Sequence, residues 1–337
     1  MSTLAAASHA PRAVLPHEAA LPLNWLASAL FALFVAFMPW EAIRGDAFAD
    51  LANYARRMEQ ISDYGTGYFE WTDSLVGWLS FEYFWFRLLA LAAAAEIEPA
   101  AFMRAVTLVA AFLTHRFLAA RVGPLVAFVV LANPITIDLL SSQTRSAFAF
   151  ALFLTAADWL VARRHLHWRY AAFAALPFIH TAAIAFVAFY TYAIALAAQR
   201  WLAPALKAAL TLLLAGAFVA AVVVVLPGLA EAADDRRGAL AYETKTLTYL
   251  LFWFLAAGAL AVSYDRTATA RWEYVFALLV CTAAPLIEAL GRPGFRFVAL
   301  SLPVIWIGLG FTRGWVRWAS MAASVAYGVL LYGYWIG

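Results

Sequence analysis

Ala205-Leu206-Lys207-Ala208-Ala209-Leu210-Thr211-Leu212-Leu213-Leu214-Ala215-Gly216-Ala217-Phe218-Val219-Ala220-Ala221-Val222-Val223-Val224-Val225-Leu226 carries one charge, Lys207. An apolar run of about 18–20 residues is long enough to cross a bilayer as an α-helix. Three more long runs, Leu21–Trp40, Val122–Leu140 and Leu247–Val262, have the same character. Inside lipid every backbone N–H and C=O needs a partner within the chain, and a helix supplies one. The pattern therefore predicts an all-α, polytopic integral membrane protein with about 10–12 transmembrane or re-entrant helices.

The composition agrees. Of 337 residues, 66% are hydrophobic and 13% charged, against about 25% charged in a soluble domain. No Ser/Gly/Pro linker divides the chain and no internal repeat is visible, so residues 1–337 read as one integral membrane domain. The net charge of +3 sits in short loops between spans, which excludes a nucleic-acid partner and points to the lipid bilayer. Lys207 and Lys245 are the only lysines; the other basic residues are arginines. Arginine usage fits a GC-rich genome, and arginine also grips phosphate bidentately. A lone Cys281 excludes an intrachain disulfide. No paired-Cys or HExxH spacing occurs, so neither a metal nor a cofactor is expected. Residues 1–21 are short and mixed, with Arg12, His17 and Glu18, and read as a cytoplasmic tail before an uncleaved first span.

Candidate spans fall near 22–40, 78–95, 101–118, 122–140, 146–162, 169–198, 204–226, 247–264, 272–290, 295–311 and 315–335. Basic clusters mark cytoplasmic loops. They are His115-Arg116 with Arg121, Arg163-Arg164-His165, Arg200 with Lys207, Arg266 with Arg271, and Arg313 with Arg317. All can share one side if 78–95 does not fully cross and if an even number of crossings separates Arg163 from Arg200. The block 169–198 would be roughly 45 Å as one helix, long for one span and short for two. Pro177 and His180 near its middle suggest a break. The loops 41–76 and 227–246 are then periplasmic, together with Ser141–Arg145, the His180 turn and Gly291–Arg296. The expected location is a bacterial inner membrane.

The unusual ionisable residues gather on that outer face. Arg44, Asp46, Asp50 and Tyr54 lie in the first outer loop, followed by Asp63-Tyr64 and Tyr68-Phe69-Glu70-Trp71. Acids and aromatics together suit sugar recognition; the same residues also suit an interfacial helix in the aromatic belt. Glu82, within Phe81–Phe86, either pairs with Arg87 or lines a cavity. Arg145 opens a span as a snorkelling anchor or as a ligand for an anion. His180, in Pro177-Phe178-Ile179-His180-Thr181, is a buried hydrogen-bonded histidine, a general base or a phosphate ligand. Arg292 and Arg296, in Gly291-Arg292-Pro293-Gly294-Phe295-Arg296, form either a basic turn or a double fork for a diphosphate. Asp234-Asp235-Arg236-Arg237 reads as a self-paired loop.

Arg-Gly-Asp with Asp-x-x-x-Tyr after the first span, Glu82 in an aromatic segment, Gln143-Thr144-Arg145-Ser146-Ala147, an apolar helix ending in His180 and a late arginine loop form an ordered series. In that order the chain resembles the EpsG family and the related Wzy-type O-antigen and exopolysaccharide polymerases. The usual family form places glutamine after the arginine; here Gln143 precedes Arg145 and Ser146 follows it, so no role carries over for a glutamine. The resemblance implies a GT-C-like glycosyltransferase that joins undecaprenyl-diphosphate-linked oligosaccharide repeat units, with a chain-length regulator and other export proteins as partners. It assigns Arg145, Arg292 and Arg296 to the leaving diphosphate and His180 to the acceptor hydroxyl or a phosphate. Arg44, Asp46, Asp50, Tyr54 and Glu82 are the sugar contacts. Two other classes fit parts of the pattern. A multi-pass O-acyltransferase also needs a membrane histidine, and a transporter would show inverted repeats.

Overall fold

The computed structural model describes residues 20–65, 78–79, 82–161, 170–225 and 247–336. The N-terminal tail up to residue 19, the Tyr68–Trp71 cluster, Arg163-Arg164-His165 and the 227–246 loop lie outside the described residues.

Among the described residues every regular element is helical. The first half contains α1 (Ala20–Phe37), α2 (Trp40–Arg44), α3 (Ala49–Tyr64), α4 (Tyr83–Ala94), α5 (Pro99–Val122), α6 (Pro124–Leu131), α7 (Pro134–Ser141) and α8 (Thr144–Val161). The second contains α9 (Tyr170–Ala175), α10 (Ala183–Ala198), α11 (Pro204–Ala220), α12 (Leu247–Val262), α13 (Trp272–Ala289), α14 (Phe295–Gly310) and α15 (Gly314–Ile336). Proline opens α5, α6, α7 and α11, where its missing N–H costs nothing and its fixed φ suits the first turn.

Among the described residues four segments are long and apolar enough to cross a membrane: α5, Pro204–Val225, α13 and α15. A fifth is the pair α6–α7, if its two bent halves form one span. The other apolar helices are shorter, so of the ten to twelve transmembrane or re-entrant helices expected, four or five among the described residues are spans by length and composition. The stretch 122–140, expected as one span, bends by 80° between its halves. The cause is Asn133-Pro134. Pro134 cannot continue the ladder, while Asn133 donates to Val130 O at 2.7 Å and accepts from Thr136 N at 3.1 Å, capping both halves. Tyr332 Oη on α15 donates to Ala132 O at 3.1 Å, filling an acceptor freed by the bend.

Helix α13 is the hub, packed against α10, α11, α12 and α14. It is 83% buried over its apolar window, against 6% for α15. A Cβ on Gly308 of α14 would lie 2.4 Å from the Cβ of Ala277 on α13, so only glycine allows this approach. The block 169–198 breaks where Pro177 predicted. It comprises α9, a 3₁₀ turn at Leu176–Phe178, an open turn at His180 and then α10. The stretch 41–76, expected as a loop, contains α2 and α3.

The charged groups separate along the helices. Arg145 opens α8, and Asp158 lies about 20 Å further along the same helix. At that far end Arg121 Nη2 meets Asp158 Oδ1 at 2.9 Å, and its Nε lies 3.7 Å from Glu273 Oε1. Lys207, read from sequence as a loop cation, is instead buried. Its Nζ donates to Ala197 O at 3.0 Å and Thr269 O at 3.3 Å.

Candidate functional site

Glu82 precedes α4 with φ at 54°, in the left-handed region that disfavours a residue with a Cβ. That backbone turns its carboxylate inward, where the residue is 2% exposed. A buried carboxylate stays ionised only if charges and donors replace its water. Here they do. Arg145 Nη1 pairs with Glu82 Oε2. His180 Nδ1 lies 2.6 Å from Oε1, and the Thr181 N–H donates to the same oxygen at 3.1 Å. Thr181 Oγ1 donates to Leu79 O at 3.0 Å, tying the His180 turn to the segment before Glu82.

A carboxylate only accepts, so Nδ1 of His180 is the donor and, in the neutral ring, Nε2 is the acceptor. Nε2 lies 3.0 Å from Ser146 Oγ, which completes a line from hydroxyl to imidazole to carboxylate. Neighbouring residues on a helix point about 100° apart. Arg145 and Ser146 therefore reach one Glu82–His180 pair from two directions, the cation to the carboxylate and the hydroxyl to the far ring nitrogen.

Tyr54 on α3 is buried beside this group. Its ring centre is 5.5 Å from that of Trp85, and the charges of Arg145 and Glu82 act on its phenol. Arg296 is exposed, lies over Phe295 at 5.9 Å and acts electrostatically on His180. Five sequence-predicted residues thus come together: Tyr54, Glu82, Arg145, His180 and Arg296.

Others do not join them. Arg44 Nη1 pairs with Asp138 Oδ1 at 3.1 Å, so its fork is engaged on α7 rather than held for a sugar. Asp46 is exposed before α3, and Asp50 lies in the first turn of α3. Arg292 is half-buried in the turn, where its N–H donates to Ile287 O at 3.1 Å. Gly294 of that turn packs closely on α13, where a Cβ would collide with Ala284 O. Glu288 Oε2 accepts from Phe295 N at 3.0 Å and fixes the start of α14. Glu82 takes Arg145 and His180 as partners, while the neighbouring Arg87 donates to Tyr83 Oη at 3.1 Å. Ser146 and Thr181 were missed as site residues; their signal was adjacency to Arg145 and His180.

A cavity of about 710 Å³ lies beside the site, lined by α1, α2, α3 and α5 residues including Phe37, Trp40, Leu51, Met103 and Arg104. Ser141, whose hydroxyl is buried without a partner, also lines it. Met103 connects cavity and site, because Thr144 Oγ1 donates to its Sδ at 3.6 Å. Among the described residues no three His, Cys, Asp or Glu side chains are grouped to hold a metal. No protein-family model, no curated protein and no solved structure matches this chain.

Proposed function

We propose that this chain is a multi-pass glycosyltransferase of a bacterial inner membrane, polymerising undecaprenyl-diphosphate-linked oligosaccharide repeat units at the periplasmic face. The observation that carries this reading is the convergence of Glu82, Arg145 and His180 from three separate segments. Ionisable groups are expensive in a chain this apolar and gather where function needs them. A diphosphate leaving group calls for a cation, and an attacking sugar hydroxyl calls for a base. Arg145 and His180 supply both within one cluster, and Arg296 adds a second cation nearby. The adjoining cavity, lined mainly by apolar side chains with Glu41 and Arg104 among them, offers room for part of a lipid carrier. The basic groups at the far end of α8 agree with a cytoplasmic end opposite the site. Tyr54, the exposed Asp46 and the half-buried Asp50 are the proposed sugar contacts. A GT-C-like arrangement and a chain-length regulator as partner belong to the same proposal.

The test is His180→Ala. The protein should accumulate normally in the membrane while single lipid-linked repeat units build up, as read by mass spectrometry of extracted lipid-linked glycans. Full-length polymer in that strain would refute the reading. Normal polymer lacking only an ester decoration would make the protein an acyltransferase.

A further inference from the structure

The proposed reaction needs a group to take the proton of the attacking sugar hydroxyl, and both nitrogens of His180 are already engaged. Nδ1 donates to Glu82 at 2.6 Å. Nε2 accepts from Ser146 Oγ at 3.0 Å. The ring therefore presents no lone pair to a substrate. The Ser146 hydroxyl has one hydrogen, given to Nε2, and two lone pairs. We propose that Ser146 Oγ is the atom that meets the acceptor hydroxyl, taking the substrate's proton as it passes its own to His180. This rests on the polymerase reading and adds a catalytic residue to it.

The step balances as follows. The acceptor O–H bond breaks and its proton goes to Ser146 Oγ. The Ser146 O–H bond breaks and that proton goes to His180 Nε2. The acceptor oxygen bonds to the anomeric carbon of the donor sugar. The bond from that carbon to the diphosphate oxygen breaks, and the electron pair leaves on the diphosphate beside Arg145. The imidazolium is stabilised by Glu82 and later returns its proton to the diphosphate or to water.

Position favours serine here. Ser146 follows Arg145 directly in the first turn of α8, so one rigid backbone carries the leaving-group cation and the proton carrier. The residue is 8% exposed, which holds the hydroxyl in one place at the edge of the cluster.

Thr and Val have nearly the same shape, so Ser146→Thr and Ser146→Val differ by the hydroxyl alone. Both are compared with wild type and His180→Ala in membranes supplied with purified lipid-linked repeat unit, across pH and in heavy water. Relay predicts that Thr keeps most turnover, while Val loses kcat by about 10²–10⁴-fold with little change in KM, as for a general-base contact. The solvent isotope effect should fall in the Val variant. Equal turnover in Thr and Val, whether both active or both dead at normal accumulation, would overturn the relay. If His180→Ala is dead at the same time, the polymerase reading stands without it. Mass spectrometric recovery of a glycan or acyl group on Ser146 would also overturn the relay, making Ser146 a covalent nucleophile.

Discussion

Glu82 Oε1 and His180 Nδ1 stand 2.6 Å apart although 98 residues separate them in sequence. The carboxylate is the hub of the cluster, since Arg145 holds its other oxygen. Removing one partner of a buried pair leaves the other charge uncompensated, at a cost of about 3–5 kcal/mol. Glu82→Gln should therefore lower the thermal unfolding temperature of the detergent-purified protein and abolish polymer. Glu82→Gln with Arg145→Met should recover much of the stability and none of the activity. Additive losses in the double variant would show that the pair is not coupled.

Arginine and lysine carry the same charge, but only arginine presents a planar fork to phosphate. Arg145→Lys and Arg296→Lys should each lose most polymer while the protein inserts and accumulates, as measured by immunoblot and glycan gels. Wild-type polymer from both would make these residues membrane anchors.

The proposed outward orientation of the site predicts a sidedness. In a Cys281→Ser background, single cysteines at Asp63 and Leu290 should react with an impermeant maleimide added outside. Cysteines at Arg266 and Arg313 should react only after the membrane is opened. Asp63 and Leu290 labelling from opposite sides would place the arginine turn away from the first outer segment.

Asp265, between α12 and α13, gives a pH signature. Burial pushes its carboxyl up, but the Ala268 N–H at 2.6 Å and the Arg313 guanidinium at 2.7 Å outweigh that and hold it below the usual range. A group with a lowered folded pKa stabilises the fold above its unfolded value of about 4. That contribution is lost as pH falls through the lowered value. The unfolding temperature should drop on acidification below about pH 4, and Asp265→Asn should flatten the part of that drop due to this residue.

Much of the architecture was readable in the residues. Pro177 marked the break before His180, and the apolar runs marked helices because their backbone groups must bond internally. The bend at Asn133-Pro134 was passed over because the surrounding run from Val122 to Leu140 is nearly all apolar, and hydropathy averages across a kink. Arg145 and His180 stood out as costly charges. Their junction on Glu82 did not, because sequence order carries no information about which of Arg87 and Arg145 a carboxylate turns toward. Here the left-handed backbone at Glu82 decides it. Ser146 escaped for a different reason: serine is common at helix starts, and only the 3.0 Å contact to Nε2 gives it a task.

The hydrogen bond from Tyr332 to Ala132 joins residues 200 positions apart. During synthesis the kinked pair α6–α7 leaves the ribosome long before its tyrosine partner exists. Until Tyr332 arrives, the carbonyl at the elbow must be met by water or by a transient neighbour. The elbow between α6 and α7 is thus secured near the end of translation, and chains cut short before α15 would carry it open.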